Sequence, residues 1–286
     1  MENILEVINL NKRFNSFALS DINITLPKGY IMGFIGANGA GKTTTIKLIM
    51  NMIRRDSGKI NIFGKDNIKY EIPIKNKIGY VHEQPIFYDD LTVGWTGNFA
   101  GKFYSDWDDE KFNELLEKFC IKKSQIVKQL SKGTKMKTAL ALALSHKPEL
   151  LILDEPTSGL DPVIRDELLD ILMEFIQNEE HGVFFSSHIT SDIEKIADYI
   201  TLINEGRIIF SEEKDKILNS WKLVKGDVRK IEEYKDDLMG IKISRTGFSG
   251  IVEDIESFKS RHDVSSLVID RTTLDDILIH LTKKEN

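Results

Sequence analysis

The chain has 286 residues, 41% of them hydrophobic and 29% charged, with a formal net charge of −6. That balance allows a sizeable core and excludes a chain disordered throughout. The acidic balance argues against a broad nucleic-acid footprint, which needs clustered Lys and Arg, so no nucleic-acid partner is expected.

The first ten residues carry an early acid and no long apolar block, so they do not read as a signal peptide. No stretch approaches the ~18 uninterrupted apolar residues of a membrane span, so any work on a membrane is expected to run through a partner. Strands are predicted over 5–10, 22–26 and 59–63, punctuated by Gly58 and Gly64. The run YIMGFI (30–35) is continuously apolar and leads into a Gly-rich loop. That order predicts a buried parallel strand feeding a buried helix over 42–53. Another short strand is predicted over 78–81. A helical insert follows over 92–145, with Phe112, Leu115, Leu116 and Phe119 at helical spacing. The single cysteine, Cys120, cannot close an internal disulfide and fits a reducing compartment. Within LLEKFCI it reads as a small buried apolar residue.

Strands return at 150–153, 183–186 and 199–203, with a helix over 163–177 between the first two. This alternation predicts a mostly parallel α/β sheet with helical crossovers. Asn204-Glu205-Gly206 predicts a turn closing a hairpin with 207–210. The charged run SEEKDK marks a junction, so residues 1–211 and 212–286 are expected to be separate domains. The second is predicted as a small α/β unit with strands at 240–244 and 267–269 and helices at 250–261 and 273–282.

The residues Gly36, Ala37, Asn38, Gly39, Ala40, Gly41, Lys42 and Thr43 match G-x-x-x-x-G-K-[ST], and Thr44 follows. Glycines let the backbone wrap phosphate closely, and the helix that follows adds its positive end to the same anion. Lys42 supplies charge to the β- and γ-phosphates, and Thr43 a hydroxyl to Mg²⁺. In LLILDEPTSGLD, Asp154 and Glu155 emerge at the carboxyl edge of a buried strand, where open parallel sheets bind ligands. Asp154 is a candidate Mg²⁺ ligand. Glu155 is a candidate to polarise a water for in-line attack on the γ-phosphate. ATP and Mg²⁺ are the implied cofactors.

The order of these motifs over about residues 2–211 resembles the ABC-transporter ATPase cassette. Residues 36–44 resemble its Walker A loop, 150–155 its Walker B strand, and Ser158-Gly-Leu-Asp161 its D-loop. The resemblance implies a P-loop fold with an N-terminal antiparallel β subdomain and a helical subdomain. It implies that His188 contacts the γ-phosphate and that Phe14 stacks on adenine, with Phe17 as the competing aromatic. The L-S-G-G-Q signature of the family appears as Leu130-Ser131-Lys132-Gly133-Thr134. Ser131 and Gly133 are therefore implied to approach the ATP of a second cassette, like or unlike this one. Lys132 and Thr134 depart from the pattern. The family's Q-loop glutamine falls on Glu83, with Gln84 one step later, and either is a candidate Mg²⁺ contact. A groove near 83–91 is implied to receive a helix from a membrane permease. The cassette would then be cytoplasmic, on the inner face of the membrane. The segment Tyr104-Ser-Asp-Trp107, Lys132 and the ending DDILIHLTKK resemble bacterial single-cassette exporters of peptides, antibiotics or lipids. The C-terminal unit is then expected to stabilise the dimer or regulate it. A soluble, non-transport ABC ATPase is the alternative. A GTPase is disfavoured, because Asn76-Lys77 does not continue as N-K-x-D.

Overall fold

The computed structural model describes residues 2–282. The chain divides into two compact units, Met1–Ser211 and Glu212–Asn286. Lys283 and Lys284 of the C-terminal run lie outside the described residues.

The first unit opens with β1 (Asn3–Arg13) and β2 (Ala18–Pro27), then β3 (Ile31–Ile35), α1 (Lys42–Ile49), β4 (Ser57–Ile62) and the short β5 (Lys65–Asp66). After α2 (Glu71–Lys75) and β6 (Ile78–Val81) comes the helical stretch, α3 (Val93–Ala100), α4 (Asp109–Lys118) and α5 (Lys132–Leu144). It closes with β7 (Leu150–Asp154), α6 (Pro162–Phe175), β8 (Gly182–Ser187), α7 (Thr190–Ile196), β9 (Tyr199–Asn204) and β10 (Arg207–Glu213).

Two sheets result. One has the order β2-β1-β4-β5 and is antiparallel; the other has the order β10-β9-β3-β8-β7-β6. In the latter, β9, β3, β8, β7 and β6 all run parallel. The difference follows from side-chain pattern. In β2, Ile22, Ile24 and Leu26 are buried and Asn23 and Thr25 exposed, so one face stays wet. In β3, β7 and β8 every residue is buried, as strands covered on both faces require. One core cluster joins Leu5, Val7, Ile24 and Ile60 of the first sheet to Ile46 and Leu48 of α1 and to Phe34, Ile152 and Phe184 of the second. Glu205 (φ 45°) and Gly206 (φ 76°) make the two-residue turn that closes the β9–β10 hairpin. The α/β cassette architecture read from the sequence is the one observed.

Three expectations are corrected. Helix α1 stops at Ile49 rather than continuing to residue 53. Asn51 adopts a left-handed conformation (φ 51°), the N–H of Met52 bonds the Lys47 carbonyl at 2.8 Å, and that of Asn51 bonds Leu48 at 3.1 Å. This is a Schellman end, with Asn in the place glycine usually takes. Cys120 is exposed, not buried: α4 ends at Lys118, and Cys120 (φ 56°) turns the chain outward. The helix predicted over 250–261 is a strand followed by a helix.

The second unit contains α8 (Lys214–Ser220), β11 (Lys222–Gly226), β12 (Met239–Ile243), β13 (Phe248–Val252), α9 (Ile255–Arg261), β14 (Val268–Arg271) and α10 (Leu274–Thr282). Its sheet has the order β12-β13-β11-β14, antiparallel throughout. Asp254 starts α9 by accepting from the N–H groups of Glu256 (3.1 Å) and Ser257 (3.0 Å), so residues before it are free to pair in the sheet. Val224, Tyr234, Phe248, Val252 and Phe258 form the core of this unit.

Candidate functional site

Buried strand β3 ends at Ile35, and the loop 36–41 turns the chain into α1. Gly41 sits at φ 119°, a conformation that a Cβ makes prohibitive; an added Cβ would also lie 2.6 Å from Leu19 Cδ2. This backbone sends the Lys42 side chain inward, where it is 6% exposed. Its Nζ donates to the Gly36 carbonyl (2.7 Å) and the Ala37 carbonyl (3.3 Å) and lies 3.1 Å from Glu155 Oε1.

The adjacent parallel strands β7 and β8 supply the acid side. Asp154 pairs in register with Ser186. The Ser186 hydroxyl, fully buried, donates to Asp154 Oδ1 at 2.8 Å and accepts from the Glu155 N–H at 2.9 Å. The Thr43 hydroxyl donates to Asp154 Oδ1 at 3.2 Å. Asp154 Oδ2 is buried with no hydrogen-bond partner among the described residues. Glu155 adopts a left-handed backbone (φ 50°), uncommon for a non-glycine residue and frequent at functional sites. Its Oε2 lies 2.6 Å from His188 Nδ1 and accepts the His188 N–H at 3.2 Å. The Tyr80 hydroxyl is buried without a hydrogen-bond partner among the described residues, and its pKa is pushed up to about 12, by burial first and the Asp154 charge second.

Phe17, Asn38, Gly39, Gly41, Lys42, Thr43, Thr44, Glu83, Glu155, Ser158 and His188 line a cavity of about 490 Å³. Nine predicted residues lie outside that lining, five of them away from the phosphate loop and from β7. Phe14 is 42% exposed, with the Lys12 ammonium 5.6 Å from its ring centroid. The turn that its N–H closes onto the Phe17 carbonyl (2.7 Å) brings Phe17, not Phe14, to the wall. Gln84 is exposed, and its N–H meets His82 Nδ1 at 3.1 Å. Ser131 caps α5 by accepting the Thr134 N–H at 3.1 Å. Gly133 is where α5 meets α6: a Cβ there would lie 2.4 Å from Ile164 Cδ1. Asp161 caps α6, accepting from Val163 and Ile164 at 3.1 Å each. Gly36, Ala37, Ala40 and Asp154 stand behind the lining rather than in it. Ser186 was not singled out from the sequence; a serine ending the apolar run VFFSS, in register with Asp154, is the signal that marks it.

The arrangement puts one cation (Lys42), three hydroxyls (Thr43, Thr44, Ser158), two carboxylates (Glu83, Glu155) and a histidine around a polar cavity at the carboxyl edge of a parallel sheet, which suits a phosphorylated ligand. Residues 19–158 match the family model described as ABC transporter. The bacitracin transport ATP-binding protein BcrA of Bacillus licheniformis is 37% identical over 212 residues, covering 73% of this chain and 69% of that protein. The chain belongs to the ABC transporter ATP-binding proteins. The lantibiotic transport ATP-binding protein SrtF of Streptococcus pyogenes is 34% identical over 215 residues, 74% of this chain and 92% of that protein. A solved ATP-binding subunit of an ABC transporter superposes with a TM-score of 0.69 at 29% identity, covering 76% of this chain and 92% of its own. As a member of this family the cassette is an ATP-binding, ATP-hydrolysing transporter subunit. The soluble, non-transport alternative is left without support.

Proposed function

We propose that this cassette hydrolyses Mg²⁺-bound ATP to drive export of a peptide, antibiotic or lipid-like substrate through a separate membrane subunit. The observation that carries the hydrolytic site is the joint hold of Lys42 and His188 on the two oxygens of Glu155. A carboxylate fixed at both oxygens beside the phosphate loop is oriented to take a proton from an attacking water. Lys42 and the loop N–H groups bind the phosphates, and His188 contacts the γ-phosphate.

The residues present fit Mg²⁺. Asp154 Oδ2 is a buried, unpartnered carboxylate oxygen, the Thr43 hydroxyl bonds the other oxygen, and Glu83 faces the same cavity. Of the two Q-loop candidates the geometry favours Glu83 over Gln84. When bound, the ion neutralises charge on the β- and γ-phosphates. Base stacking belongs to the 14–17 turn, with Phe17 in the wall and Phe14 offering an exposed ring. Ser131, Gly133 and Asp161 serve a second cassette, identical or different, which fits their position outside the lining of this chain's own cavity. The domain 212–286 stabilises that dimer or regulates it.

Among the described residues no helix is long and apolar enough to cross a membrane. In this reading a separate permease docks on the cassette, which is cytoplasmic and sits at the inner face of the membrane. Exposed aromatics support this. Tyr88, Trp95, Phe99 and Phe103 form a continuous cluster, with Trp95 stacked on Phe99 at 4.9 Å, and Ile86 beside the Q-loop is 93% exposed. Contiguous exposed apolar surface marks interaction sites. A multi-span membrane protein should co-purify with the tagged chain from solubilised membranes, and Trp95→Ser with Phe99→Ser should release it. Undiminished co-purification with the double variant would overturn this docking surface.

A further inference from the structure

Two segments that flank the cavity are each followed at once by a helix. The loop 158–161 leads into α6, and His188 leads into α7. One turn into each helix stands a charged residue, Arg165 and Asp192. Their backbones are tied to the two segments: the Arg165 N–H bonds the Asp161 carbonyl at 3.0 Å, and the Asp192 N–H bonds the Ile189 carbonyl at 3.2 Å. Their side chains meet, Arg165 Nη2 on Asp192 Oδ1, with Ser191 Oγ a weaker contact at 3.4 Å. The Asp192 side chain is 3% exposed and that of Arg165 26%.

The pair is incompletely bonded. Arg165 Nε and Asp192 Oδ2 are both buried and have no partner among the described residues. A guanidinium and a carboxylate can form two parallel bonds, and here one is made. A buried ion pair is a poor device for stability, since an apolar pair of similar volume does as well or better. A half-made fork between two helices is better suited to transmitting position. Further along, Lys195 reaches Asp166 and Asp170, so α6 and α7 have a second, more exposed ionic tie.

We propose that Arg165 and Asp192 are positioning residues that set His188 against Glu155 from the loop 158–161, so that a shift of that loop is passed to the hydrolytic carboxylate. The inference rests on the roles given above to Glu155 and His188. The unmade Nε to Oδ2 bond gives the link a second, closer arrangement, in which the full fork forms.

The test uses the full-length chain and the double variant Arg165→Met/Asp192→Leu, which removes both charges and leaves none buried alone. Its ATP turnover should fall at least ~10-fold, because small misplacements of reacting groups have effects of that order, while KM and ATP affinity stay within about 3-fold. Its melting temperature should match wild type. Arg165→Lys, which keeps the charge and loses the fork, should recover part of the rate. Wild-type turnover in the folded double variant would overturn the proposal. So would failure of that variant to fold, or a rate loss that tracks its melting temperature, since either makes the pair merely structural. Glu155→Gln is assayed alongside. If it hydrolyses ATP at the wild-type rate, the reading of the site itself fails. If it is inactive while the double variant is unimpaired, only the positioning role fails.

Discussion

Ser186 holds the two carboxylate residues Asp154 and Glu155 with one hydroxyl, donating its proton to the Asp154 side chain and accepting from the Glu155 backbone. Removing it leaves without a partner the buried N–H of Glu155, itself in a left-handed conformation. Ser186→Ala should lower unfolding stability by roughly 1–3 kcal/mol, the penalty of an unsatisfied buried group. Turnover should fall about tenfold with ATP affinity little changed, because Lys42 and the loop are untouched. Urea unfolding and steady-state kinetics read the two effects, and a variant with wild-type turnover would remove Ser186 from the site. At this scale Lys42, Thr43, Asp154 and Glu155 were legible because residue types at fixed spacing carry the chemistry. Ser186 was not, since its importance comes from the register of β7 against β8, which lies in no local pattern. The Phe14–Phe17 pair was legible only as a pair. Which ring reaches the wall depends on a turn closed by a single hydrogen bond.

Helix α5 is joined to strand β6 through a buried histidine. His146 is 1% exposed, stacks on Tyr104 with centroids 3.9 Å apart, and sets Nε2 3.0 Å from the Ile78 carbonyl. Burial, the largest influence, lowers its pKa below the usual 6.5. The unfolded chain therefore binds this proton more readily than the folded one. The contribution of His146 to stability is complete above about pH 6.5 and is lost as the pH falls through the lowered value. Thermal melts should show stability declining from pH 7.5 toward 5.5, with a smaller decline in His146→Gln. Equal declines would mean the pH dependence arises elsewhere. At the scale of elements, alternation and continuous apolar runs placed the strands of the first unit, the two-residue β5 excepted, to within a few residues, because burial on one face or two has a plain signature. The end of α1 escaped, since Asn51 in a left-handed turn looks like any helix-compatible residue. Strand β13 escaped because Ile251, Ile255 and Phe258 fall at helical spacing, so the strand reads as the start of the helix that follows it.

In the whole molecule, every proposed nucleotide contact lies in the first unit, whose two sheets share a common core. The α/β cassette was legible because its strand and helix periods and its phosphate loop agree. The function of the second unit was not: its clearest clusters of ionisable residues pair with one another, Asp237 with Arg261 and His262, Lys225 with Asp270. We propose above that Glu155 drives hydrolysis in a site completed by a second cassette. The most direct measurement is light scattering on purified Glu155→Gln with Mg²⁺ and ATP, beside its hydrolysis rate. The account predicts a stable dimer retaining ATP and turnover reduced at least ~100-fold, in the range seen when a group central to transition-state stabilisation is lost. A monomer that binds ATP and hydrolyses it at the wild-type rate would contradict it.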